Sequence, residues 1–348
     1  MSRRAAKLVL LRACSALGLF RVSAWMFRKR LPILCYHGFE LLEECAFRPQ
    51  LFMTRKTLEG RLQYIADNGF NVLPLGEALL RLRSGSLPPR ALVITIDDGF
   101  KSTLTVAGPL LDGMPATVYV TTYYMQKQVP IFGLAMQYVF WKAKAQRQDF
   151  SGLPEMEGAK DPEQAMQELI RRGHKMQREQ DRQELLRHTA STLNVDLAPL
   201  YEQRLLSIMS VEELQELSRL GIEVQLHTHR HRFPASDRAS AYREIEENRI
   251  YLKQAVGVAP QHFCYPSGIF DESQWPWLDA LGVESATTCL PGLNRFDTPR
   301  YGLRRFLDHE GVEFIEFKAE LAGFNEILRW LRRLWAPAAR ESISPVAN

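Results

Sequence analysis

Two adjacent carboxylates and a knot of histidines hold most of the reactive side chains in this sequence. Asp97-Asp98 precede Gly99, and His227-Thr228-His229-Arg230-His231 places three of the chain's eight histidines within five residues. Neighbouring carboxylates repel and are costly to desolvate. The pair makes sense if one binds a cation and the other takes a proton. The structural alternative is an Asx-type turn bent at Gly99. His227 and His231, four apart, share one face of a helical turn and equally one side of an extended segment. Neutral imidazoles ligate zinc-class metals. Two histidines and one aspartate leave positions open, as a catalytic rather than a structural metal requires. A histidine-rich surface turn is the alternative there, and His229 fits an outer hydrogen-bond donor, a substrate contact or an exposed residue.

These groups share a place in the rhythm of the chain, because each follows a strand-like run. His37 follows 33–36, Asp97 follows the apolar run Ala91–Ile96, His227 follows 222–226, and Tyr265-Pro266-Ser267-Gly268 follow Phe263-Cys264. Further strands are expected at 116–120 and 284–289. Helices are expected over 54–68, 75–83, 236–256 and 273–281, and after Ser210, which forms a capping box with Glu213. Strands alternating with helices imply parallel pairing through helical crossovers. In parallel α/β barrels the active site is built from the C-terminal ends of the strands. Residues 123–208 break the rhythm with an aromatic helical stretch, a Gly/Pro-bearing stretch and a charged helical segment over 163–194. They are expected to form an insertion, either a lid or a helical subdomain packed beside the barrel.

Thr95-Ile96-Asp97-Asp98-Gly99, His227-Thr228-x-x-His231 and Tyr265-Pro266-Ser267-Gly268 resemble, in order and spacing, the first three motifs of the polysaccharide deacetylase family, carbohydrate esterase family 4 with the NodB homology domain. Leu34-Cys35-Tyr36-His37 is similar to the first strand of one branch of it. The resemblance spans about 31–321, interrupted by the insertion. It implies a distorted (β/α) barrel and a divalent metal, usually Zn2+. It also implies hydrolysis of an N-acetyl, or less often O-acetyl, group on a polysaccharide or lipid-linked sugar. By resemblance Asp97 is the general base, Asp98, His227 and His231 bind the metal, and Tyr265, Pro266, Ser267 and Gly268 line the substrate. Two departures stand out. Cys264 occupies the place where many members carry an arginine that orients the base, and Arg305, in Leu303-Arg304-Arg305-Phe306, resembles a late arginine that substitutes for it. The C-terminal histidine that acts elsewhere as general acid has no clear counterpart, leaving His37 and His309 as candidates. Two other classes fit the same residues: a non-catalytic glycan-binding relative, and a metal-dependent amidohydrolase acting on a non-sugar amide.

Composition narrows the field further. Of 348 residues 46% are hydrophobic and 24% charged, which is ordinary for a globular chain. Five cysteines without CxxC spacing suggest neither a disulfide scaffold nor a cysteine-rich zinc module. No Gly-x-Ser-x-Gly elbow, phosphate loop, dinucleotide fingerprint or HExxH motif is present. The net charge of +4 is concentrated: residues 1–30 carry eight Arg/Lys and no acid, leaving 36 basic and 40 acidic side chains beyond them. The body is therefore not expected to bind nucleic acid. The longest uncharged run in that basic segment, 13–20, is far short of the roughly 20 apolar residues of a spanning helix and of little use as a secretory core. The segment is expected to form a basic amphipathic helix on the cytoplasmic face of a membrane rather than to direct export. Residues 322–348, with Trp330-Leu331-Arg332-Arg333-Leu334-Trp335, are expected to form a basic aromatic helix and tail.

Overall fold

The computed structural model describes residues 2–335. Residues 336–348, the last part of the expected 322–348 segment, lie outside the described residues. Seven parallel strands among the described residues carry the barrel: β1 (Ile33–Tyr36), β2 (Ala91–Ile96), β3 (Thr117–Val120), β4 (Glu223–Leu226), β5 (His262–Cys264), β6 (Ser285–Thr287) and β7 (Phe306–Leu307). They stand side by side in the order β7-β1-β2-β3-β4-β5-β6, and Asn71–Val72 adds a short pairing to the start of β2. A bridge between Thr287 of β6 and Leu303, just ahead of β7, ties the two ends of the sheet together. The result is a distorted parallel barrel, the fold that the family resemblance implies.

The β-branched run of β2 is buried along its whole length because the strand is covered on both faces. Alternation sorts its side chains. Leu92, Ile94 and Ile96 enter the main core between barrel and helices. Ala91 and Val93 point inward, with Ile33, Tyr119 and Cys264. Asp97 continues the inward series Val93, Thr95 at a period of two, so the strand's own pleat delivers it to the mouth of the barrel. Local signals end the helices where the sequence places them. Thr54 caps Arg55–Asp67 by accepting from Thr57 N, Gly85 closes Leu75–Ser84 in a left-handed conformation (φ 73°), and the Ser210/Glu213 capping box opens Val211–Arg219.

Several elements differ from expectation. The charged segment 163–194 is two helices, Pro162–Lys175 and Glu179–Thr192. Arg182 explains the break, since its guanidinium satisfies the carbonyls of Gly173 and Met176 that end the first helix. The helix expected at 236–256 starts at Arg238, capped by Asp237. The one expected at 273–281 is a short 3-10 turn, Glu272–Gln274, followed by Trp275–Ala280, because Pro276 favours the first turn of a helix and cannot sit in its interior. The strand expected at 284–289 pairs only over Ser285–Thr287, and two-residue β7 has no strand-like run of its own.

The insertion, between β3 and β4, contains helices Thr122–Lys127, Phe132–Ala145, Pro162–Lys175, Glu179–Thr192 and Ala198–Tyr201. Its apolar faces (Leu134, Tyr138, Leu169, Leu186) join the barrel's main core rather than forming a separate one. The N-terminal segment is two helices, Arg3–Ala16 and Leu19–Met26, bent by 81°. They dock through Leu11, Cys14 and Phe20 onto Ala319 and Phe324, in helices Phe314–Leu321 and Phe324–Trp335.

Candidate active site

Asp98, His227 and His231 offer one ligand atom each, all within 4.8 Å of one another, at the C-terminal ends of β2 and β4. Neither a helix nor an extended segment sets the histidine spacing. Thr228 (φ 64°) and His231 (φ 55°) are both left-handed, so the chain doubles back and returns His231 to His227, with ring centroids 4.9 Å apart. Asp98 is itself left-handed (φ 70°), which turns it away from Asp97, so the adjacent carboxylates serve different partners.

The hydrogen bonds around His227 test whether the group suits a cation. Its Nδ1 lies 2.9 Å from the Cys264 carbonyl, which can only accept, so Nδ1 carries the proton in the neutral ring. Its Nε2 then presents a lone pair to Asp98 Oδ1 at 3.1 Å. His231 Nε2 lies 3.2 Å from the same oxygen and is a buried nitrogen without a hydrogen-bond partner. Three electron-pair donors facing one another in a buried pocket repel unless a cation sits among them, and these residue types and this convergence fit a divalent metal.

Beside this group lies a second, separate device. Arg305, fully buried, forks onto Asp97 with two 2.7 Å bonds, Nη1 to Oδ1 and Nη2 to Oδ2. Its remaining donors meet Thr288 O (2.9 Å), Thr95 Oγ1 (3.2 Å) and Cys264 Sγ (3.1 Å). Burial works to protonate Asp97, and Arg305 overrides it, so the carboxyl stays ionised far below its ordinary pKa. Cys264 and Cys35 both approach Asp97 Oδ2, at 3.3 and 3.5 Å. His37 Nε2 stands 3.8 Å from the same oxygen, and burial lowers its pKa. His309 is engaged elsewhere, with Pro49 O and Gly311 N, and does not touch Asp97.

A cavity of about 230 Å³ opens onto Asp98 and His231. The barrel side contributes Phe100, Arg230, Arg232 and Ser267, and the insertion contributes Tyr124, Leu134 and His174. The insertion therefore borders the site as well as packing on the barrel. Of the four residues at 265–268, only Ser267 (φ 56°) lines this cavity. Tyr265 is turned into the core, with its hydroxyl donating to Tyr301 O at 3.0 Å, and Pro266 and Gly268 are buried. Gly268 is needed as glycine: at φ 67° a Cβ would sit 2.6 Å from Cys289 Sγ. His229 takes no part in the ligand group; Thr122 Oγ1 bonds its Nδ1 at 2.9 Å and its ring stacks on Tyr251.

A sequence profile described as "Polysaccharide deacetylase" matches residues 84–286, more than half of the chain. The chain belongs to the polysaccharide deacetylase family. Bacillus subtilis (strain 168) YxkH, a curated protein named for this family, is 32% identical over 104 residues, 28% of this chain and 35% of YxkH. The match thus spans about a third of that relative's length. Among solved structures, the Streptococcus pyogenes deacetylase PplD in complex with acetate aligns with a TM-score of 0.56 at 16% identity, covering 84% of this chain and 98% of that one. A de-N-acetylase from Aggregatibacter actinomycetemcomitans aligns at 0.54 and 14% identity, over 84% of this chain and 99% of its own. IcaB from Ammonifex degensii aligns at 0.54 and 17%, over 84% and 97%. At such identities the likeness establishes the fold, a polysaccharide deacetylase barrel.

One supporting residue had no motif to mark it. Asn248 is fully buried on helix Arg238–Val256; its Oδ1 accepts from His227 N (2.9 Å), and its amide donates to Val120 O and Thr122 Oγ1. It thereby pins the end of β4 to the end of β3. The available signal was a polar residue on the same helical stripe as Ala241, Ile245 and Leu252. Asn248→Ala should lower stability by about 1–3 kcal/mol, because it strands buried backbone and hydroxyl partners. Urea unfolding checks this, and an unchanged midpoint would count against the role.

Proposed function

We propose that this member of the polysaccharide deacetylase family is a metal-dependent hydrolase that removes N-acetyl groups from a polysaccharide or lipid-linked sugar. The observation that carries the proposal is the pairing of two devices at one barrel mouth: a three-ligand group with an orphaned His231 Nε2, and next to it a carboxylate kept ionised by a buried arginine. A non-catalytic sugar binder has no need of the second device.

In this proposal Asp98, His227 and His231 hold a divalent metal, with Zn2+ favoured by the nitrogen-rich set. Such a metal supplies an acidified water, with a pKa near 7, and polarises the acyl oxygen. Asp97 takes the proton of the attacking water. A carboxylate tied to Arg305 is a weak base and needs a donor made acidic in this way. The Ser267 backbone N–H is the candidate donor to the oxyanion. As the C–N bond breaks, the proton held by Asp97 passes to the leaving amine through His37, whose Nε2 stands 3.8 Å from Asp97 Oδ2, so that both residues end as they began and acetate is released. The amide of the acetylated sugar thus ends as a free amine and a carboxylate, with one water consumed. A cytoplasmic setting suits the five free cysteines, three of them beside the Asp97–Arg305 pair.

The test combines metal analysis with acetate release from a panel of acetylated glycans, lipid-linked sugars and small non-sugar amides. One divalent metal per chain is expected, with release confined to sugars. A folded His227→Ala/His231→Ala double variant should lose both. Full occupancy in that variant would rule out the ligand set, and turnover of the small amides alone would point to an amidohydrolase.

A further inference from the structure

Helix Leu19–Met26 has two apolar sides. Phe20 and Ser23 are buried toward the protein, Phe20 against Phe324 with ring centroids 5.0 Å apart. Leu19, Val22, Trp25 and Met26 recur at helical spacing on the other side and are all exposed, Trp25 by 67%. The preceding helix and its end add exposed Val9, Leu10 and Leu17. Docking is already achieved through the buried side and the Lys7–Glu316 pair at 2.6 Å, so the exposed side does not serve to hold these helices on the barrel. A contiguous exposed apolar face of this kind marks an interaction surface.

Charge says what it faces. Residues 1–30 contain no carboxylate, and Arg12, Arg21, Arg28 and Lys29 are exposed beside the apolar side chains. Beneath the helix, a cavity of about 350 Å³ is lined by Arg21, Arg28, Arg30 and Arg90, with no acidic residue on its wall. Arg28 and Arg90 donate to main-chain oxygens of Trp25 and Asn68, and Arg30 has Glu326 at 3.7 Å. Guanidinium groups collected beside aromatic rings suit a phosphate joined to an apolar body. The same cavity is lined by Pro32 and Ala91, at the starts of β1 and β2. It therefore lies at the end of the barrel opposite Asp97, Asp98 and His227, about 20 Å away along the six residues of β2.

We propose that the two N-terminal helices form a docking surface for an anionic lipid bilayer, with the arginine-lined cavity taking a headgroup phosphate and the candidate active site at the far end of the strands. Among the described residues no single helix is long and apolar enough to cross a membrane, and the bent N-terminal pair meets that test only jointly. Docking at the interface matches a helix whose Trp and aliphatic residues face outward between cations. The arrangement turns the catalytic mouth away from the lipid, which, of the two substrates proposed above, favours a polysaccharide approaching from solution over a lipid-linked sugar.

The test is co-sedimentation of the full chain with phosphatidylglycerol/phosphatidylcholine vesicles and with phosphatidylcholine vesicles alone, at low and high salt. Wild type should prefer the anionic vesicles and lose that preference as salt rises. Val22→Ser/Trp25→Ser and Arg21→Glu/Arg28→Glu alter exposed side chains, and unchanged thermal midpoints will confirm folding. Each pair should weaken binding to the anionic vesicles by roughly tenfold or more. Wild-type binding indifferent to lipid charge, or folded variants that bind as wild type does, would overturn the proposal. So would a dimer in light scattering that the Val22/Trp25 pair dissolves, without vesicle binding, since the face would then meet a second copy of the chain.

Discussion

Asp97→Asn should cut acetate release by roughly 10²–10⁴-fold, the usual contribution of a general base, while the metal content stays at one per chain. The expectation rests on separation of the two aspartates. Asp98 turns to His227 and His231, whereas Asp97 faces Arg305 and His37. Asparagine keeps the shape of the side chain but cannot accept the water proton. It also leaves Arg305 buried without its counter-charge, so the variant should be less stable and must be assayed well below its melting temperature. Metal analysis on the same preparation separates the roles. Loss of metal would mean that the two aspartates exchange functions, and a wild-type rate would refute the hydrolytic mechanism.

Arg305→Ala should cost about 3–5 kcal/mol of folding stability, the range for breaking a buried ion pair by removing one partner. The fork from Arg305 is what offsets the burial of Asp97. The pH dependence gives a signed check. With Arg305 present, the folded-state pKa of Asp97 is depressed, so the pair's stabilisation is present above the ordinary carboxylate pKa of about 3.9 and fades as pH falls below it. In the variant the largest opposing influence is gone and burial pushes that pKa up from its wild-type position, so protonation relieves the buried charge. The stability gap between wild type and variant should therefore be widest near neutrality and shrink as pH falls into the carboxylate range. Chemical denaturation of metal-free protein at several pH values measures it. A gap that is constant with pH would assign the loss to packing of the long side chain rather than to the charge on Asp97.

The departures from the family pattern also find a physical account. Cys264 stands on β5 where a motif arginine is expected, and the guanidinium arrives instead from the segment ahead of β7, reaching across to Asp97 while touching Cys264 Sγ. A buried carboxylate at the barrel mouth needs a counter-charge, and either strand can supply it because both open into the same interior.

Much of this was legible in the residues themselves. The alternation of strands and helices, the parallel barrel, the capping box at Ser210, and the strand-end location of Asp97, Asp98 and His227 follow from alternation, periodicity and local capping, all of which act within a few residues of chain. What tertiary structure alone decided involves contacts between residues far apart in sequence. Left-handed turns at Thr228 and His231 close the ligand group, where the spacing allowed either a helix or a strand. Asn248 is placed by packing, 21 residues from the backbone it holds, and the two-bonded fork of Arg305, a residue the resemblance had singled out, is set by packing across the barrel, 208 residues from Asp97. Tyr265 left the expected substrate wall because its ring fills the core and its hydroxyl finds Tyr301 O. β7 forms only because β1 offers it an open edge, since a two-residue strand has no pattern of its own to announce it. The basic N-terminal segment was visible as charge without acid, but which of its side chains are buried and which stay exposed was set by the helices against which it docks.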